Sequence, residues 1–286
     1  MRIPEHKEKI LNAIVNDLKS IKNIAALVLG GSYCTGMANE NSDLDIGIYY
    51  HEASPFDIDL IKTIAGKYNT GESPTVTGFY QWGPWVNGGA WIETKSGEVD
   101  FVYRNIEQVI ATIEKSDNGI FENDYEQQPP YGFSSVIYLA ETYYCLPLYD
   151  PDGIIQELKL KVNNYPAKLK QTVIQQSLWS AEFTLWQADK FAKKFDLYNT
   201  VGCLTRALKN IIEALLAINE LYSIGDKKSI EILRRANKVP ERLDERIDSI
   251  LCIDKDNIFV KTNELKQLFD QTVFLTNGTY YPYFKL

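Results

Sequence analysis

The apolar positions of the first fifty residues follow two rhythms. Ile10, Leu11, Ile14, Val15 and Leu18 recur every three or four residues, one stripe of a helix over 5–20. The runs 24–29 and 44–50 are short and almost continuously apolar, and they predict buried strands. Ser54-Pro55 then opens a second helix to about Lys67, with serine as cap and proline in the first turn. A strand over 76–82 leads into an aromatic, glycine-rich stretch that ends at Trp91. Residues 90–95 and 98–103 flank Ser96-Gly97 as a hairpin, and Asn105 caps a helix to about Lys115. Residues 116–130 are acidic and irregular and read as a surface connection or a lid. From Phe133 helical spacing takes over, across 133–144, 151–162, 166–194, 197–222, 227–237, 240–251 and 257–275, with a turn-rich strap at 146–153. Mixed elements followed by helices alone predict an α+β chain of two domains: 1–132, a small mixed sheet flanked by helices, and 133–286, all helical.

The first two strand runs are joined by Gly30-Gly31-Ser32, a ten-residue gap and Asp43-Leu44-Asp45. The order reads as strand, tight turn, crossover, strand. Glycines let a backbone approach a phosphate closely. Carboxylates at i and i+2 of a strand share a face, where a cation between them relieves their repulsion. Paired hard oxygens suit Mg²⁺, which binds through one or two carboxylates plus substrate phosphates. A P-loop is excluded because Gly31-x4-Gly36 is followed by Met37-Ala38. An EF-hand is excluded because neither register from Asn39 or Asp43 places glycine sixth and glutamate twelfth.

Gly31-Ser32, the gap and Asp43-x-Asp45 resemble the signature of the nucleotidyltransferase superfamily, the DNA polymerase β-like fold. The order of elements resembles its two-domain bacterial members, which include antibiotic nucleotidyltransferases with a helical C-terminal domain. The resemblance implies transfer of a nucleoside monophosphate, with AMP from ATP the first expectation, to a hydroxyl as pyrophosphate leaves. It implies two Mg²⁺ ions held by Asp43, Asp45 and a third carboxylate on a later strand, a position that Asp100 matches. Gly31 and Ser32 would receive the phosphates. A two-residue turn at Ser96-Gly97 would set Glu93 directly opposite Asp100, a like-charge pair that costs a few tenths of a kcal/mol or more without a cation or proton between them. Glu93 is therefore a candidate general base or second-metal support.

The chain has 286 residues, 45% apolar, with 30 basic against 38 acidic side chains and a net charge of −8. That balance disfavours a long nucleic-acid track and is compatible with a cationic small substrate. With no run of eighteen apolar residues and no leader pattern, the expectation is a cytoplasmic protein without a membrane segment. The four cysteines show no metal spacing and read as free thiols. In the helical half, Trp179, Glu182, Trp186 and Asp189 share a face, with Arg206 as a possible ion-pair partner. Lys209, and Lys227 or Lys228, are candidates for the triphosphate. The aromatic end, 276–286, offers either a tuck back onto the body or a homodimer contact. The expected acceptor is a small molecule, such as an aminoglycoside or lincosamide antibiotic. The alternatives are a hydroxyl on a partner protein, of toxin–antitoxin type, and a nucleotide-binding relative without turnover.

Overall fold

A computed structural model describes residues 3–225, 228–284 and 286. Two compact units divide the chain: Met1–Glu114 with Tyr138–Asn164, and Lys115–Ile137 with Tyr165–Leu286.

The first unit begins with α1 (Glu5–Leu18), which buries Leu11, Ile14, Val15 and Leu18 and, on the same stripe, Lys7. Then follow β1 (Ala26–Leu29), α2 (Gly31–Thr35), β2 (Leu44–Tyr50), α3 (Ile58–Tyr68), β3 (Thr75–Val76), β4 (Gly89–Thr94), β5 (Gly97–Asn105) and α4 (Ile106–Asp117). After β6 (Asn123–Asp124) and β7 (Phe133–Ser134), which pair within the second unit, the chain returns through α5 (Val136–Tyr144), β8 (Leu146–Tyr149) and α6 (Ile154–Val162). Among the described residues the main sheet has six strands in the order β3-β4-β5-β2-β1-β8. β2 and β5 are parallel; the other neighbours are antiparallel. Leu27, Leu29, Ile46, Ile48, Ile92, Val99 and Phe101 form one apolar core with the buried stripes of α1 and α3.

Several sequence expectations shift, each for a local reason. β1 and β2 are antiparallel neighbours, so the segment between them is no crossover. α3 starts after Asp57, whose carboxylate accepts from Asp59 N at 2.9 Å, and not at Ser54-Pro55. Phe56 is instead drawn into an aromatic cluster, 5.6 Å from Tyr50 and 5.1 Å from Tyr103. The strand expected over 76–82 stops at Val76, because Tyr80 (φ +61°) and Gly83 (φ +98°) bend the chain away. The strap at 146–153 contributes β8, which pairs with Leu27–Leu29. That pairing keeps α5, β8 and α6 with the sheet, so the units do not divide at 132/133.

In the second unit α7 (Ala167–Ala192) and α8 (Leu197–Ile218) pack along each other. α9 (Ser229–Leu233) and α10 (Leu243–Leu251) pack on α8, and α11 (Ile258–Leu275) packs on α7, α8 and α10. The helix expected over 227–237 is reduced to α9. The aromatic tail tucks back: buried Tyr280 and the Phe284 N–H both donate to the buried Glu182 carboxylate, and Phe284 stacks on Trp186 with centroids 5.4 Å apart. Asp189 pairs with Lys266 at 2.6 Å, so these two carboxylates take partners other than Arg206.

Candidate active site

The turn after β1 is held against β2 from its first residue. Gly30 N donates to Asp45 O at 2.8 Å, and the chain then enters α2 through Gly31 at φ +61°. That φ favours glycine. Space demands it as well, because a Cβ on Gly31 would lie 1.7 Å from Asp45 Oδ2. The Asp45 carboxylate therefore lies directly over the Gly31 backbone, and Ser32 follows on the first turn of α2. Gly36, at φ +71°, closes that short helix.

Asp43 immediately precedes β2 and Asp45 lies within it. On the parallel neighbour β5, Asp100 is the register partner of Asp45. In-register residues on adjacent strands share a face, so Asp45 and Asp100 stand side by side with Asp43 two residues back on that face. All three are half-buried. Burial first, and then the negative charges of Asp45 and Asp43, push the Asp100 carboxyl up from its usual 3.8 to about 7. A hydrogen bond from the Trp91 side chain opposes that rise. Trp91 is the cross-strand partner of Asp100 on β4; it is 51% exposed and packs against Trp82 in a tilted pair with centroids 4.1 Å apart. The aromatic stretch ending at Trp91 is visible in the sequence, but its pairing with Asp100 depends on the hairpin register.

The hairpin turn lies one residue earlier than expected, which shifts every cross-strand pair by two residues. Its two-residue turn is Lys95-Ser96, with Thr94 opposite Gly97. Thr94 Oγ1 selects it, donating to Gly97 O at 2.6 Å and accepting from Ser96 N at 3.1 Å, while Gly97 adopts φ +110°. Glu93 consequently opposes Glu98, and Trp91 takes the place opposite Asp100. Glu93 remains on the same sheet face but is exposed, with its carboxylate against Gly71. Glu72, Trp91, Glu93, Glu98 and Asp100 line a cleft of ≈ 360 Å³ together with Asn69, Ile92 and residues 73–75.

The loop ahead of β4 is braced from within the first unit. Asn87, fully buried, donates to Pro84 O (3.1 Å) and Gln108 Oε1 (2.9 Å) and accepts from Asn105 N. Arg104 forms a two-pronged pair with Glu141 on α5, both contacts at 2.6 Å, and also donates to Val86 O. Nothing in the local sequence pattern signals either bracket.

Lys209 belongs to α8 in the second unit, where its amino group pairs with Glu213 at 2.7 Å and both side chains are largely buried. Lys227 lies outside the described residues.

The model of the family described as "Nucleotidyltransferase domain" matches residues 11–81. This stretch is a nucleotidyltransferase domain. It contains Gly31, Ser32, Asp43 and Asp45, while Asp100 lies beyond the matched residues and joins the site through its register with Asp45. A nucleotidyltransferase domain belongs to enzymes that move nucleotidyl groups, and NTP substrates and divalent metal ions go with it in general. Among solved structures the chain is similar to a nucleotidyltransferase-like protein from Exiguobacterium sibiricum 255-15, with a TM-score of 0.45 and 8% identity, covering 96% of this chain and 78% of that one. No curated protein matches the chain.

The donor set around this nucleotidyltransferase domain fits a hard divalent cation. Among the described residues no group of three His, Cys, Asp or Glu side chains, Asp43, Asp45 and Asp100 included, is already drawn together closely enough to hold a metal ion. Mg²⁺ requires no such preformed cage, since substrate phosphates and water complete its shell. Burial is the first cause of the raised Asp100 pKa; the charges of Asp45 and Asp43 add to it, and that added part marks negative charge that such an ion would neutralise.

Proposed function

We propose that the chain transfers a nucleoside monophosphate, AMP from ATP in the first instance, to a hydroxyl of a small molecule in a Mg²⁺-dependent reaction. The observation that carries this reading is the in-register pair Asp45–Asp100, with Asp43 on the same face and the Gly31 backbone under the Asp45 carboxylate. Asp43, Asp45 and Asp100 are the residues that would hold the metal; bound there, divalent ions would neutralise phosphate charge and make the acceptor oxygen more acidic. Gly31 and Ser32 hold the phosphates by close main-chain approach. The acceptor oxygen bonds to the α-phosphorus and the bond to pyrophosphate breaks. With a divalent ion bound Asp100 would be ionised as a ligand, so Glu93, exposed on the same sheet face, is kept as the candidate base for the acceptor hydroxyl or as a support for the second metal. Glu93, with Glu72 and Glu98, lines the acceptor side of the cleft, and this acidic wall supports an acceptor that carries amino groups, of the aminoglycoside or lincosamide kind.

The test is pyrophosphate release from each NTP across a panel of hydroxyl-bearing acceptors, with and without Mg²⁺. Metal-dependent release that falls at least about a hundredfold in Asp45→Asn supports the reading. Release untouched by both Asp45→Asn and Asp100→Asn refutes it.

A further inference from the structure

Lys7 sits where a leucine would be expected. It shares the stripe of α1 with Leu11, Ile14, Val15 and Leu18 and is 4% exposed. A lysine is rarely buried so deeply unless its donors are used. Here they reach the main chain: the amino group donates to Ser42 O at 2.5 Å and to Glu40 O at 3.4 Å. Ser42 O belongs to the peptide unit that carries the Asp43 nitrogen. A peptide unit is planar, so a bond that fixes this carbonyl also fixes the direction in which Asp43 leaves it.

The same amino group lies 5.8 Å from the ring centroid of Tyr33, the residue after Ser32 on α2. It is also 3.6 Å from the place a Cβ on Gly97 would take, where β5 begins its run to Asp100. Ser96 Oγ adds a bond to His6 O at 3.1 Å. The first turn of α1 thus gathers the segments that bring in Ser32, Asp43 and Asp100. The hydrogen bonds within the loop ahead of Asp43 are local: Asn41 N to Asn39 Oδ1, Asn39 N to Ser42 Oγ and Ser42 N to Asn39 O. Lys7 is a strut that ties the loop to α1.

We infer that Lys7 is a positioning residue: by holding the Glu40 and Ser42 carbonyls it aims the Asp43 carboxylate toward Asp45 and Asp100, and so sets the affinity of the site for its divalent ion. This rests on the nucleotidyl-transfer reading above, and the experiment separates the two. Free Mn²⁺ is counted by electron paramagnetic resonance in the presence of a non-hydrolysable ATP analogue, without turnover. Lys7→Met should bind Mn²⁺ about tenfold more weakly, the usual size of an effect on groups that orient metal ligands. Its binding of the analogue in EDTA and its unfolding profile should stay close to wild type. Lys7→Arg, which keeps donors for both carbonyls, should recover most of the lost affinity, and Lys9→Met, at an exposed position, should change nothing. Should Lys7→Met not fold, Lys7→Gln carries the test, since its shorter arm reaches one carbonyl at most; a metal affinity equal to wild type then overturns the proposal. Equal affinity in a folded Lys7→Met overturns it as well. If Asp45→Asn leaves wild-type Mn²⁺ binding unchanged, the functional reading itself fails, whatever Lys7 does.

Discussion

Replacing Asp100 by asparagine should make the metal-free protein more stable at pH 8 while removing its activity. Burial and the charges of Asp45 and Asp43 raise the Asp100 pKa from 3.8 to about 7. The folded state therefore holds this proton more tightly than the unfolded chain. For such an acid, stability falls as pH climbs from the unfolded value toward the folded one, and it levels off above about 7. At about 1.4 kcal/mol per pH unit the ceiling is about 4 kcal/mol. The carboxyl is only half-buried and solvent screens it, so about 1–2 kcal/mol is the realistic gain. Asparagine keeps the shape and carries no charge, so the variant escapes this penalty. Urea unfolding in EDTA, followed at several pH values, measures it. The stability gap between Asp100→Asn and wild type should be small near pH 4, open through pH 5–7 and stay flat at pH 8. Millimolar Mg²⁺ should then stabilise wild type and not the variant. Equal stabilities at pH 8, or a gap independent of pH, would refute the reasoning that three interacting carboxylates meet here.

Gly31→Ala should unseat the Asp45 carboxylate, because its Cβ would fall 1.7 Å from Asp45 Oδ2 at a backbone φ of +61°. Metal-dependent nucleotide binding should drop about tenfold or more, read by calorimetry, with a stability loss of roughly 1–2 kcal/mol. Glu141→Gln leaves the buried Arg104 guanidinium without its charged partner and should cost about 3 kcal/mol in urea unfolding. Tyr280→Phe removes one donor from fully buried Glu182, so the tail should loosen at a cost of about 1–3 kcal/mol, visible as faster amide exchange over 276–284.

The pair Asp43–Asp45 and its strand could be read from the sequence because both signals are local. An apolar run fixes β2, and a period of two fixes the shared face. The position of Asp100 beside Asp45 could not be read from spacing, since β2 and β5 are parallel strands far apart along the chain. The two-residue shift in the hairpin pairing has a chemical origin: the Thr94 hydroxyl and the Gly97 backbone choose the turn, and the strand pattern alone fits either register, since a shift of two keeps each side chain on its face. The segment 146–153 has the composition of a turn-rich strap, yet its first four residues, Pro147 among them, form β8. A proline is tolerated there because β8 is an edge strand. The α3 boundary turned on Phe56, whose burial in the aromatic cluster outweighs the capping signal at Ser54.

Lys7 is a different kind of omission. Its place on the α1 stripe was visible as a polar residue at an apolar position, but the sequence does not say which carbonyls it would meet. The departures from ordinary packing in the first unit converge: a lysine among leucines, a glycine forced by a neighbour's carboxylate, and an aspartate whose charge is opposed by two others. Each is unfavourable in isolation, and each lies on a segment that α1, the turn after β1 or the β2–β5 pair brings to the same place. A fold under selection for stability alone would spread such exceptions or lose them, and local conflicts that persist together mark a site with work to do. The cost of keeping Asp100 ionised beside Asp45 is therefore the clearest physical reason to expect a cation there.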